Sequence, residues 1–105
     1  MNSVLRLSII VLAFTLVSST LALADGGADY KTKCAMCHGP DGKGDTAMGK
    51  KFGLKDMGSA DVQGKSDADL TTIITKGKDK MPEYGSKLSK EQIDGLVKFI
   101  RSLKK

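Results

Sequence analysis

The sequence has no tryptophan, two prolines, two cysteines, one histidine, three phenylalanines and two tyrosines among 105 residues. So few aromatics, with no sustained β-branched runs, leave little from which to build a β-sandwich or a doubly wound sheet. A second long apolar run is missing beyond Ala24, so no later segment is suited to crossing a membrane as a helix. Blocks of like charge are missing too. The 17 basic and 12 acidic residues are interspersed, which argues against a nucleic-acid-binding tail and fits a solvated surface.

The apolar residues are unevenly shared. Residues 1–24 hold 16 of the 42, leaving 26 for the other 81 positions, fewer than one in three. One domain of that size is near the limit at which a single core suffices, and so low an apolar fraction makes it harder. Something other than side chains is expected to fill the middle. The same piece carries a net charge of +4, because Arg6 is the one charged side chain before Asp25.

The segment before Asp25 reads as an export signal. Arg6 and the amino terminus precede the apolar run Leu7 to Val17, and Ala22-Leu23-Ala24 is of the small-x-small type that precedes cleavage. Cleavage after Ala24 would leave Asp25 first and place the rest, 25–105, in a periplasmic or other exported compartment, where a free dithiol tends to oxidise. An uncleaved anchor is the alternative, since Leu7 to Ala24 is uncharged.

Residues 25–105 predict an all-α domain of three to four short helices and a long glycine-rich loop. The first helix is expected over about Ala28 to Met36, with Tyr30 and Cys34 on one face. Seven glycines fall between Gly39 and Lys65, with room for one helical turn over Ala47 to Phe52. A loop that long in a small domain is usually functional or wrapped on something. Ser66 and Asp69 resemble a capping pair for a second helix carrying Leu70, Ile73 and Ile74, which Gly77 would stop. Ser89 and Gln92 cap a last helix, where Ile93, Leu96, Val97, Ile100 and Leu103 repeat at helical spacing. Gly95 inside it is costly unless another helix crosses there.

Both cysteines and the histidine lie within the stretch Cys34-Ala35-Met36-Cys37-His38. Cys-x-x-Cys-His is the attachment signature of a c-type haem. Two thiols three positions apart in a helical turn can add to neighbouring vinyl groups of a porphyrin, and that tether holds the next imidazole under the iron. A flat apolar ring would also make good the shortage of apolar side chains. A thioredoxin-type dithiol would ask for a βαβ context, a structural zinc site for a fourth ligand, and a disulfide across so short a span for awkward geometry. Without a second histidine, the sixth iron position falls to a methionine sulfur. Met36 is trapped between the cysteines; Met48 and Met57 lie in the loop, where packing is the plainer reading. Met81 precedes Pro82, which holds it extended, and is either a distal ligand or a gap-filling core methionine.

At these residues the chain resembles the small bacterial class I cytochromes c, including the cytochrome c6-like and c551/c553-like group. Gly26 and Tyr30 match the glycine and aromatic of that family's first helix. Cys34, Cys37 and His38 match its haem attachment motif and proximal ligand, and Met81-Pro82-Glu83-Tyr84-Gly85 its distal-methionine segment. Leu96 with Phe99 matches the aliphatic and aromatic pair of the terminal helix. The resemblance implies the cytochrome c fold wrapped around one covalent haem c, His38 and Met81 as axial ligands, and first and last helices that cross beside the haem. One departure stands out. Many members place a proline roughly nine to twelve residues after the histidine, whose carbonyl receives the second imidazole N–H. This chain has Pro40 two positions on and no proline between Ala47 and Lys50.

The expected function is one-electron transfer between redox partners, without enzymatic chemistry, since no general base remains beyond the committed histidine. Lys31, Lys33, Lys76, Lys78 and Lys80 flank the motif and Met81; they would ring the haem edge and steer a partner with an acidic surface, or be simply solvated. Two rivals remain: a five-coordinate haem protein that binds a small gas or reacts with peroxide, and a tethered subunit of a larger oxidoreductase.

Overall fold

The computed structural model describes residues 25–105; the expected export signal, 1–24, lies outside the described residues. Six helical segments follow one another: α1 Gly26–Lys33, α2 Ala35–His38, α3 Ala47–Phe52, α4 Ala60–Gln63, α5 Asp67–Lys76 and α6 Lys90–Ser102. Among the described residues the only β pairing is an isolated bridge between Lys78 and Met81. The all-α expectation is borne out with more pieces than three to four.

The extra pieces have local causes. Asp25 accepts the Gly27 and Ala28 N–H groups at 3.0 and 3.3 Å, so α1 begins earlier than the expected Ala28. The helix then breaks at Cys34, whose N–H still reaches the Tyr30 carbonyl at 2.8 Å, and resumes as α2 up to His38. The turn foreseen over Ala47 to Phe52 forms as α3 under a Thr46 cap. The α4 turn had no visible period. Ser66 caps α5 through the Asp69 N–H at 3.0 Å, and Gly77 ends it at φ +78°. Ser89 and Gln92 make a full reciprocal capping box on α6, at 2.9 and 3.1 Å.

The packed centre is the crossing of α1 over α6. A Cβ on Gly26 would collide with the Gly95 carbonyl, so position 26 must be glycine, and Gly95 lies at the crossing where the α1 and α6 backbones meet. Tyr30 stacks on Phe99 beside it, ring centroids 4.6 Å apart. Leu70 and Ile74 of α5 and Leu88 join Ile93, Leu96, Val97 and Ile100 in one cluster, which Met57 enters from the loop. The far end of the loop is bolted to α6 by polar side chains. The Gln63 amide donates to the Met57 and Ile100 carbonyls, both at 2.8 Å. Arg101 donates to the Gln63 carbonyl and to Asp67, both at 2.9 Å.

Candidate cofactor site

The other side of the domain is hollow. Two adjoining cavities, about 190 and 270 Å³, share His38, Lys55, Ile73, Lys78 and Met81 as lining residues. Taken together they fall in the range of cofactor pockets, on the order of 300–1,000 Å³. Met57, Val62, Leu70, Ile74 and Ile100 wall the first, and Phe52 and Leu54 the second. Phe52, Leu54 and Val62 of the glycine-rich loop thus line an opening, while Met57 lines it from within the core cluster.

His38 reaches this opening because α2 ends on it. Its N–H bonds to the Cys34 carbonyl at 3.0 Å, and Gly39 then turns the chain away at φ +84°. The imidazole is half-buried, and burial holds its pKa below the usual histidine range, which favours the neutral form that binds metals. Its Nδ1 is buried without a hydrogen-bond partner. Cys34 and Cys37 are free, half-buried thiols on the preceding turn. Burial, with the charges of Asp29 and Cys37, pushes the Cys34 thiol up to about 11. A redox dithiol needs the opposite, a nucleophilic sulfur with a depressed pKa. Among the described residues no three His, Cys, Asp or Glu side chains converge to hold a metal ion, so Cys34, Cys37 and His38 do not form the start of a zinc site.

Met81 lines the same two cavities from a tight turn. Its N–H donates to the Lys78 carbonyl at 2.9 Å, and the Lys78 N–H returns a bond to the Met81 carbonyl at 3.2 Å. Asp79 between them takes φ +53°, unusual for a residue with a side chain. At Gly77 a Cβ would stand 2.6 Å from the Met81 carbonyl, so this glycine both ends α5 and lets the Met81 segment fold back on it. The Tyr84 hydroxyl donates to the Lys33 carbonyl at 3.1 Å, tying that segment to the residue before Cys34. Met48 is exposed and Met57 buried in the core cluster.

An opening of this kind, flanked by a thiol pair and lined by an imidazole and a thioether, fits a covalently tethered tetrapyrrole. The apolar walls suit that group and do not suit a polar substrate. Lys55 and Lys65 also line the first cavity, and Lys65 would bring positive charge to the group's carboxylates; nothing in their spacing set them apart in the sequence. The lysines expected around the motif and Met81, namely Lys31, Lys33, Lys76, Lys78 and Lys80, are all exposed.

Comparisons with known proteins point to the same cofactor. Residues 21–100 match the family described as "Cytochrome C oxidase, cbb3-type, subunit III". The chain is 32% identical to cytochrome c6 of Porphyra purpurea over 95 residues, covering 90% of this chain and 84% of that protein. It is 33% identical to the cbb3-type cytochrome c oxidase subunit FixP of Azorhizobium caulinodans over 80% of this chain but only 28% of that subunit. Among solved structures, the KustC0563 c-type cytochrome superposes with a TM-score of 0.72 at 32% identity, covering 77% of this chain and 99% of that one. The fold and the site define a small covalent-haem module. The chain belongs to the cytochrome c family, as a class I monohaem member carrying one haem c.

Proposed function

We propose that this protein is an exported one-electron carrier in which Cys34 and Cys37 hold the haem through thioethers and His38 and Met81 ligate its iron. The observation that carries the reading is that His38, directly after the Cys34–Cys37 turn, and Met81, on a separate segment, line the same pair of cavities. When bound, the haem supplies the one-electron couple, and methionine ligation favours its reduced form.

The residues do the rest. Two protein ligands on separately anchored segments, α2 and the Lys78–Met81 turn, keep the same partners in both redox states, so little has to move with the electron. Ile73, Ile74, Leu70 and Val62 exclude water from the centre. Lys65 and Lys78 would bring positive charge to the carboxylates of the group, while Lys55 on the same wall is paired with Asp61 at 3.0 Å. The exposed lysines on either side of the site attract an acidic redox partner, and their effect weakens with salt. Residues 1–24 act as the removable export signal; among the described residues no helix is long and apolar enough to cross a membrane. The match to the oxidase subunit covers a small part of that protein, so it supports a shared haem module and not the subunit's assembly.

The test is the far-red absorption of the oxidised protein, where methionine sulfur on ferric iron gives its own charge-transfer band. The band is expected in the wild type, together with slow carbon monoxide binding to the reduced form. Its absence with rapid carbon monoxide binding would instead establish the five-coordinate gas or peroxide chemistry.

A further inference from the structure

The clamp on the backbone around His38 has no counterpart in the function just described. Three successive carbonyls at the end of α2, those of Cys37, His38 and Gly39, have run out of helix and need donors from elsewhere. The Thr46 hydroxyl donates to the Cys37 carbonyl at 2.6 Å. The Gly44 N–H donates to the His38 carbonyl at 2.8 Å, and the Gly42 N–H to the Gly39 carbonyl at 3.2 Å. The Tyr30 hydroxyl also donates to the Gly39 carbonyl, at 2.6 Å.

Neither hydroxyl is placed by chance. Tyr30 is 2% exposed, and its ring is fixed by Phe99; burial, with the charges of Cys34 and Asp41, raises its pKa to about 12, so the hydroxyl stays a donor. Thr46 is held in place because its oxygen also accepts the Gly49 N–H at 2.9 Å as the cap of α3. The imidazole itself has no such hold, since its Nδ1 is buried without a partner. A metal-bound histidine is ordinarily oriented by a hydrogen bond at that nitrogen. Around residues 46–50, where this chain has no proline, the Thr46 carbonyl accepts from the Lys50 N–H and the Gly49 carbonyl from the Leu54 N–H, both at 2.9 Å.

Resting on the reading of His38 as an axial ligand, we infer that the Tyr30 and Thr46 hydroxyls are positioning residues that orient His38 through the carbonyls of its two neighbours, Gly39 and Cys37, with the Gly44 N–H on the His38 carbonyl between them, in place of a hydrogen bond to its ring. With both flanking carbonyls pinned, the imidazole keeps only its two side-chain torsions, and the cavity walls limit those.

The experiment uses the ferric holoprotein. The hyperfine-shifted haem-methyl resonances report the orientation of the axial ligand plane, and shifted His38 ring resonances report that His38 is on iron. Thr46→Val and Tyr30→Phe are each expected to shift the methyl pattern, and the double variant to shift it further than either. Thr46→Ser, which keeps the hydroxyl, should restore the wild-type pattern. Leu88→Ala, which loosens the same core but leaves both hydroxyls and the Tyr30–Phe99 contact, should lower the melting temperature with the pattern unchanged. A double variant that melts earlier but keeps the wild-type methyl pattern would reduce both bonds to helix capping and overturn the inference. Unshifted His38 ring resonances in the wild type would overturn the ligand reading and this inference together.

Discussion

The two sides of this domain are held together differently. At the α1–α6 crossing, protein packs on protein: Gly26 against Gly95, Tyr30 on Phe99, and Leu96 at 1% exposure beneath them. On the opposite side, Val62, Ile73 and Met81 line cavities and are only half-buried. The first region is a conventional core. The second is a half-core, and a haem seated there as proposed would explain why so small a share of apolar side chains suffices beyond Ala24.

That difference can be broken from its hollow side first. Replacing both thiols, Cys34→Ser with Cys37→Ser, should abolish covalent attachment and give the largest loss. The apoprotein is expected to keep part of its far-ultraviolet circular dichroism while losing cooperative thermal unfolding. Cooperative unfolding without haem would show that the cavity side needs no filler.

On the packed side, Leu96→Ala should cost about 2–5 kcal/mol in denaturant unfolding of the holoprotein. Gly26→Val meets backbone, which cannot yield, and should cost about 1–3 kcal/mol or more by overpacking. Met57→Leu, at the border between the two regions, conserves volume and should cost under about 1.5 kcal/mol. Equal losses at Leu96 and Met57 would erase the distinction between a closed and an open core.

The smallest effect lies at the chain end, where Lys105 pairs with Asp56 and its N–H bonds to the Gly58 carbonyl at 3.3 Å. The Lys105 contact and the Gly58 N–H hold the Asp56 carboxyl below its ordinary value, and Asp56 in turn raises Lys105. A lowered carboxyl contributes stability above its unfolded pKa and loses it as pH falls through the folded one. A raised lysine contributes below its unfolded pKa of 10.5 and loses it as pH rises through the folded one. Asp56→Asn should therefore flatten both flanks of the stability–pH profile slightly, and the change should fade in salt because the Lys105 end of the pair is exposed.

Much of this contrast was legible in the residues. The uneven apolar share announced a missing core component, Cys34 to His38 named it, and Gly95 marked the crossing before any partner helix was known. The capping pairs placed α5 and α6 because a cap is a local interaction. What escaped was long-range or conformational. The break at Cys34, the left-handed Asp79 and the α4 turn leave no periodic trace. The Gln63 and Arg101 braces join residues 37 and 38 positions apart, and polar side chains that serve distant carbonyls look like any solvated surface. The same holds for Tyr30 and Thr46: their places beside the motif could be read, but not the carbonyls their hydroxyls would reach.

The central claim is that the haem fills the hollow side between His38 and Met81, and Met81→Ala tests it most directly. The variant is expected to keep its haem covalently attached, to lose the far-red sulfur-to-iron band, and to bind carbon monoxide rapidly when reduced, while Met48→Leu and Met57→Leu keep the band. A Met81→Ala protein with the wild-type band and no carbon monoxide binding would contradict the account and move the sixth ligand to Met48 or Met57.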